Sequence, residues 1–129
     1  MILLAKNNEG YKNLSNIVSI GFTEGYYYQP RIDLEVLEKY HEGIICCSAC
    51  LAGSVAQAIL NNDIEEAKRV ALWHKNLFGD DYYLEIQSNT LRSQAIVNQK
   101  LVELSNELDI PLVATCDAHY SRKEDAYNH

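Results

Sequence analysis

Asp117 and His119 stand two residues apart, directly behind the apolar run Leu112-Val113-Ala114-Thr115. In an extended chain, side chains two apart project to one face, about 6 to 7 Å from each other along the backbone. A carboxylate and an imidazole so placed are ordinary ligands for zinc, manganese or iron. An ion held there acidifies water for phosphate-ester hydrolysis. The competing explanation is an aspartate that caps a helix beginning near Arg122, with an exposed histidine beside it. Asp-x-His by itself does not separate the two.

Cysteines occur at 46, 47, 50 and 116, three of them crowded into one segment, unlike a disulfide framework, so all four read as reduced thiols. Cys47-Ser48-Ala49-Cys50 matches Cys-x-x-Cys, and Ile110-Pro111 before a strand mimics the proline of thioredoxin-like folds. A redox site needs both thiols at a helix amino terminus, however, and regular βα units argue against that fold. A zinc ribbon needs a second cysteine pair, which Cys116 alone does not supply. Cys46 and Cys47 are expected to be buried in a strand. His41 in a polar turn, His74 on a helix flank and His129 at the terminus have ordinary structural explanations. Arg31, beside Tyr26-Tyr27-Tyr28, could meet a phosphate but more often such an arginine ties down its own loop. Glu85 could reach a site from inside a barrel or join Tyr83 and Gln87 in a polar layer.

The elements that must position these groups alternate. Ile2 to Ala5 reads as a strand, and a helix follows with Asn7 or Asn8 as its cap. Phe22 to Asp33 reads as an ordered loop, and Asp33 caps a short helix through Tyr40. A second strand covers residues 43 to 47, with helical patterning from Leu51 to Asn62. Asp63 caps a longer helix that ends at Gly79. Tyr82 to Ile86 is the third strand, Leu91 to Leu108 an amphipathic helix, and Leu112 to Thr115 the fourth strand. Strands that alternate with helices predict parallel pairing, with the chemistry in the loops after residues 5, 47, 86 and 115.

With 129 residues, the chain is far short of the roughly 250 of an eight-unit barrel. Hydrophobic residues at 47% and charged residues at 22% place it among ordinary globular domains, so it should bury a core. A net charge of -7 argues against a free-standing nucleic-acid binder. No apolar run approaches a membrane span and the amino terminus lacks a signal-peptide pattern, so no membrane partner and a cytoplasmic location are expected.

Read in order, Leu3-Leu4-Ala5-Lys6-Asn7 with Glu9-Gly10-Tyr11, Thr23-Glu24-Gly25-Tyr26-Tyr27-Tyr28, Pro30-Arg31-Ile32-Asp33, Cys50-Leu51-Ala52-Gly53, Tyr83-Leu84-Glu85-Ile86-Gln87 and Pro111 to Thr115 with Asp117-Ala118-His119-Tyr120 resemble the polymerase-and-histidinol-phosphatase (PHP) domain of bacterial replicative polymerases. The resemblance covers essentially the whole chain. It implies a distorted (β/α)7 barrel with up to three metals at its mouth, active in some members as a 3′–5′ exonuclease. The family's cysteine ligand falls on Cys50 and its closing Asp-x-His pair on Asp117 and His119, with Glu85 and Arg31 as secondary candidates. The family's opening His-x-His and the ligands after it have no counterpart, so residues 1–129 are expected to be the carboxyl-terminal portion of the domain, a partial barrel of parallel βα units. Such a piece is expected to be inactive alone and to bind metal weakly.

The resemblance further implies zinc or manganese at this site, and magnesium for polymerisation elsewhere in the parent protein. It implies as partners the rest of the polymerase subunit, DNA and dNTPs through it, the sliding clamp and a proofreading exonuclease. A non-catalytic docking platform is the alternative. A stand-alone PHP phosphoesterase is disfavoured by the tyrosine-rich insertion, which matches the polymerase branch. Cys116 departs from the family's usual asparagine and is expected to pack rather than coordinate. A partial barrel also leaves an open sheet edge, from which self-association is expected.

Overall fold

The computed structural model describes residues 1–29 and 31–128; Pro30 and His129 lie outside the described residues. In chain order the elements are β1 (Ile2–Ala5), α1 (Asn8–Thr23), α2 (Leu34–Tyr40), β2 (Ile44–Cys47), α3 (Ser54–Leu60), α4 (Ile64–Phe78), β3 (Tyr82–Gln87), α5 (Arg92–Leu108) and β4 (Leu112–Thr115). Short 3-10 turns follow at Gly79–Asp81 and Lys123–Asn128.

Local chemistry sets the helix ends. The Asn7 side chain accepts from the Gly10 amide at 2.9 Å, Asp33 from Val36 at 2.9 Å and Asp63 from Glu66 at 3.1 Å, each satisfying an amide the helix leaves without a partner. Gly79 ends α4 at φ +59, a region open to glycine at little steric cost. Several expected boundaries move, most by a residue or two. α1 runs to Thr23, into the segment read as loop, and α3 starts at Ser54 because residues 48 to 53 are wound into a turn.

The four strands form one sheet in the order β1-β2-β3-β4. β2 pairs parallel with β3, and β3 with β4, as the alternation predicts. β1 corrects the expectation of parallel pairing throughout: it runs antiparallel to β2, Ile2 opposite Cys47 and Ala5 opposite Ile44. The reason lies in the connection. One crossover helix carries the chain to the other end of a sheet and gives parallel strands, but α1 leads outward and α2 leads back. The start of α1 therefore meets the end of that connection: a Cβ on Gly10 would lie 1.8 Å from the Gly43 carbonyl oxygen. The loop after residue 5 consequently lies at the opposite end of the sheet from those after residues 47, 86 and 115. There the Lys6 amide donates to the Gly43 carbonyl at 2.8 Å and the Lys6 ammonium meets Asp81 at 3.0 Å.

Strand alternation gives the sheet two unlike faces. Toward the helices point Ile44, Cys46, Tyr82 and Leu84, all at most 1% exposed, which join Ile17, Leu37, Val55, Ala71, Val97 and Leu101 in the core. Burial pushes the Cys46 thiol up to about 12 and also raises Tyr82. His74 belongs to this core and not to a helix flank: its ring stacks on Tyr82 at 5.2 Å and its Nδ1 donates to the Val70 carbonyl at 2.8 Å. The opposite face carries Ile2, Leu4, Ile45, Tyr83 and Val113, with Ile2 and Leu4 41% and 50% exposed. Among the described residues no helix is long and apolar enough to cross a membrane.

Candidate metal centre

β2 ends at Cys47, opposite Tyr83, while β3 continues to Gln87. From that point the β2-side backbone groups of β3 need partners other than a strand, and the Ser48 backbone and polar side chains supply them. The Ser48 amide donates to the Tyr83 carbonyl at 3.0 Å, and the Ser48 hydroxyl accepts from the Glu85 amide at 2.8 Å. The Asn98 side chain acts as a surrogate strand for Gln87, accepting from its amide at 3.3 Å and donating to its carbonyl at 2.7 Å. Gln94, one turn earlier on α5, donates to Asn98 Oδ1 at 2.8 Å. A cavity of about 250 Å³ opens beside this joint, lined in part by Gln87, Asn89, Asn98 and Thr115.

Glu85, 2% exposed, reaches both neighbouring strand ends. One carboxylate oxygen accepts from the Ala49 amide at 3.1 Å and the other from the Thr115 hydroxyl at 2.5 Å. The same hydroxyl accepts from the Gln87 side-chain amide at 3.4 Å. Burial, reinforced by the Glu85 charge, raises the Cys47 thiol. Cys46 and Cys47 are thus strand residues, and α3 begins only at Ser54. Neither thiol of Cys47-x-x-Cys50 sits where a helix amino terminus would activate it.

The residues expected to bind metal lie on the loops that leave one end of the sheet. Half-buried Cys50 follows β2; Asp117 and His119 follow β4. His119 Nδ1 is 2.9 Å from the Asp117 carbonyl oxygen, which only accepts, so Nδ1 carries the proton. The lone pair of the neutral ring is then on Nε2, the tautomer arrangement common to metal-binding histidines. His119 Nδ1 is also 3.8 Å from Asp117 Oδ1. The fold therefore brings Asp117 and His119 together and places Cys50 on a loop at the same end. Among the described residues, no three His, Cys, Asp or Glu side chains converge to hold an ion. Thiolate, carboxylate and imidazole suit zinc as a donor set, so these residues fit a metal as part of a site.

Arg31 is turned to its own loop: Nε donates to the Tyr27 carbonyl at 3.2 Å and the guanidinium lies 5.9 Å from the Tyr27 ring centre. Cys116 is exposed, which corrects the expectation that it packs: β4 has ended at Thr115, so no sheet face receives it. Sequence reasoning missed Ser48, Thr115, Gln94 and Asn98. Only the last two left a trace, two amides at i and i+4 on an otherwise apolar helix face.

Comparison with known proteins identifies relatives of the chain. Residues 1–89 match the PHP domain, a span that includes Cys50 and Glu85 and stops before Asp117. Over 98% of its length the chain is 53% identical to the DNA polymerase III subunit alpha of Borreliella burgdorferi, covering 11% of that protein. Over its whole length it is 43% identical to the protein of that name from Aquifex aeolicus, covering 11% of it, and 46% identical to the one from Deinococcus radiodurans, covering 10%. The chain thus spans 10 to 11% of the length of these curated relatives. With a mixed α/β sheet, its polar strand ends and a family match over more than half of its residues, the chain belongs to the PHP domain family.

Proposed function

We propose that this chain is part of the PHP domain of a bacterial DNA polymerase III alpha subunit, and that Cys50, Asp117 and His119 contribute part of a divalent metal site, for zinc or manganese, at the mouth of a (β/α)7 barrel. The observation that carries this reading is end-to-end similarity, at 43 to 53% identity, to a tenth of the length of subunits bearing that name. The apolar sheet face with exposed Ile2 and Leu4 supports it independently. Ile2, Leu4, Ile45, Tyr83 and Val113 form the kind of apolar surface that the inside of a closed barrel buries. In this reading the remainder of the subunit is the chain's first partner. The subunit polymerises dNTPs on DNA with magnesium held elsewhere, alongside the sliding clamp and a proofreading exonuclease.

When bound, the metal supplies Lewis acidity toward a phosphate ester and acidified water. The chain's own residues orient the donors. The Asp117 carbonyl fixes the His119 tautomer, and Glu85 ties the β2 and β4 ends together. The test is metal content. In the full-length subunit, C50A, D117A and H119A should each lower bound zinc or manganese, whereas the 129-residue chain alone should bind it weakly. Unchanged metal in all three variants, or a tight stoichiometric complex with the short chain, refutes the assignment.

A second reading is a docking platform that hydrolyses nothing. Full metal occupancy without 3′–5′ exonuclease activity in the intact subunit would select it.

A further inference from the structure

We propose that Glu85 is a positioning residue whose carboxylate sets the Cys50 loop and the Asp117–His119 loop against one another. The proposal rests on the metal-site reading for its purpose, but the mechanical claim stands on contacts within this chain.

The Cys50 loop is held partly from outside itself. Ala49, immediately before Cys50, has φ +71, a left-handed conformation that alanine adopts at a cost. Residues held there persist when their surroundings over-determine them. Constraints act on the loop from within and from outside. The Gly53 amide donates to the Cys50 carbonyl at 2.9 Å, closing the turn, and the chain passes so near itself that a Cβ on Gly53 would stand 2.4 Å from the Ser48 carbonyl oxygen. From outside, the Ser48 amide donates to the Tyr83 carbonyl at 3.0 Å and the Gln57 side chain to the Leu51 carbonyl at 2.6 Å, but the left-handed residue itself is held by Glu85, which accepts from the Ala49 amide at 3.1 Å across 36 positions of sequence.

The second carboxylate oxygen accepts from Thr115, the last residue of β4 and two before Asp117. β2 and β4 are not neighbours in the sheet, so their loops have no ladder in common; β3 lies between, and Glu85 spans the gap from it. With both oxygens engaged and the side chain buried, the carboxylate serves the loops that carry the donors instead of acting as one of them.

The Cys50 thiol provides a readout that needs no metal. In the metal-free full-length subunit, alkylation of the Cys50 peptide can be followed by mass spectrometry with the exposed Cys116 peptide as internal reference. E85A should speed Cys50 alkylation and amide exchange over residues 48 to 53 about tenfold, the scale of one lost hydrogen bond to a charged group, with Cys116 unchanged. E85Q should stay near wild type, because its carbonyl oxygen still accepts from Ala49 while its amide donates to the Thr115 oxygen. If E85A does not fold, T115V removes the β4 arm alone and should raise exchange over 48 to 53 about threefold, on the same principle. Wild-type rates in E85A, or in T115V where E85A is unfolded, overturn the proposal, as does an E85Q as fast as E85A. Cobalt(II) added to wild type separates the two claims. Absence of a thiolate-to-metal absorption band overturns the Cys50 ligand assignment but leaves the alkylation and exchange results to decide the role of Glu85.

Discussion

Replacing Asn98 with alanine removes the surrogate strand that completes the end of β3. Three hydrogen bonds go: those to the Gln87 amide and carbonyl and the one from Gln94. Gln87 is only 7% exposed, so its amide and carbonyl become orphans, each costing about 1–3 kcal/mol. The adjoining cavity can admit water to the vacated position, which keeps each term near the low end. The sum is about 2–3 kcal/mol, or a fall in Tm of roughly 10 °C for a domain of this size. Urea unfolding at pH 7 measures it directly. N98D supplies the contrast. It keeps the acceptor for the Gln87 amide but sets a carboxylate against the Gln87 carbonyl, so at pH 7 it should be no more stable than N98A. Its neutral acid can donate to that carbonyl, which raises the folded pKa above the unfolded value of about 3.9. The regained stability is therefore present below about pH 4 and lost as pH rises. An N98A loss under about 0.5 kcal/mol would refute the view that Asn98 satisfies the strand end.

Other outcomes follow from the core, the thiols and the sheet edge. Burial holds the pKa of His74 below the ordinary histidine value, so neutral His74 contributes stability above about pH 6.5, lost as pH falls toward the depressed folded value. H74F keeps the stacking and cannot ionise, so its stability relative to wild type should rise between pH 7.5 and 5; a constant difference would contradict this. With an aromatic disulfide reagent at pH 8, Cys116 and Cys50 should react in the folded chain, whereas Cys46, raised to about 12, and Cys47 should wait for denaturant. Four equal native rates would refute the burial argument. β1 presents an outer edge with Ile2 and Leu4 exposed beside it, so the isolated chain should self-associate. Light scattering that stays monomeric across a concentration series would remove that expectation.

Element type was legible wherever the chain carried its own punctuation. Asn7 or Asn8, Asp33 and Asp63 announced helix starts, Gly79 a helix end, and the runs at 43–47, 82–86 and 112–115 the strands. Those signals are local, acting within a turn or a strand's length, and sequence displays them directly. They also placed Cys50, Asp117 and His119 correctly behind strand ends. Two kinds of fact escaped. The direction of β1 depends on whether α1 and α2 add or cancel as displacements, which is settled only when both pack on the sheet. The polar joints among Ser48, Glu85, Thr115, Gln87 and Asn98 link three elements and the loop after β2, and no spacing along the chain records which buried backbone groups will lack a strand partner. Sequence alone determined the elements and the residue types offered for chemistry. Tertiary structure decided which end of the sheet they share and what holds them there, because unsatisfied backbone groups and their partners come into being only when the strands are cut to unequal lengths and packed.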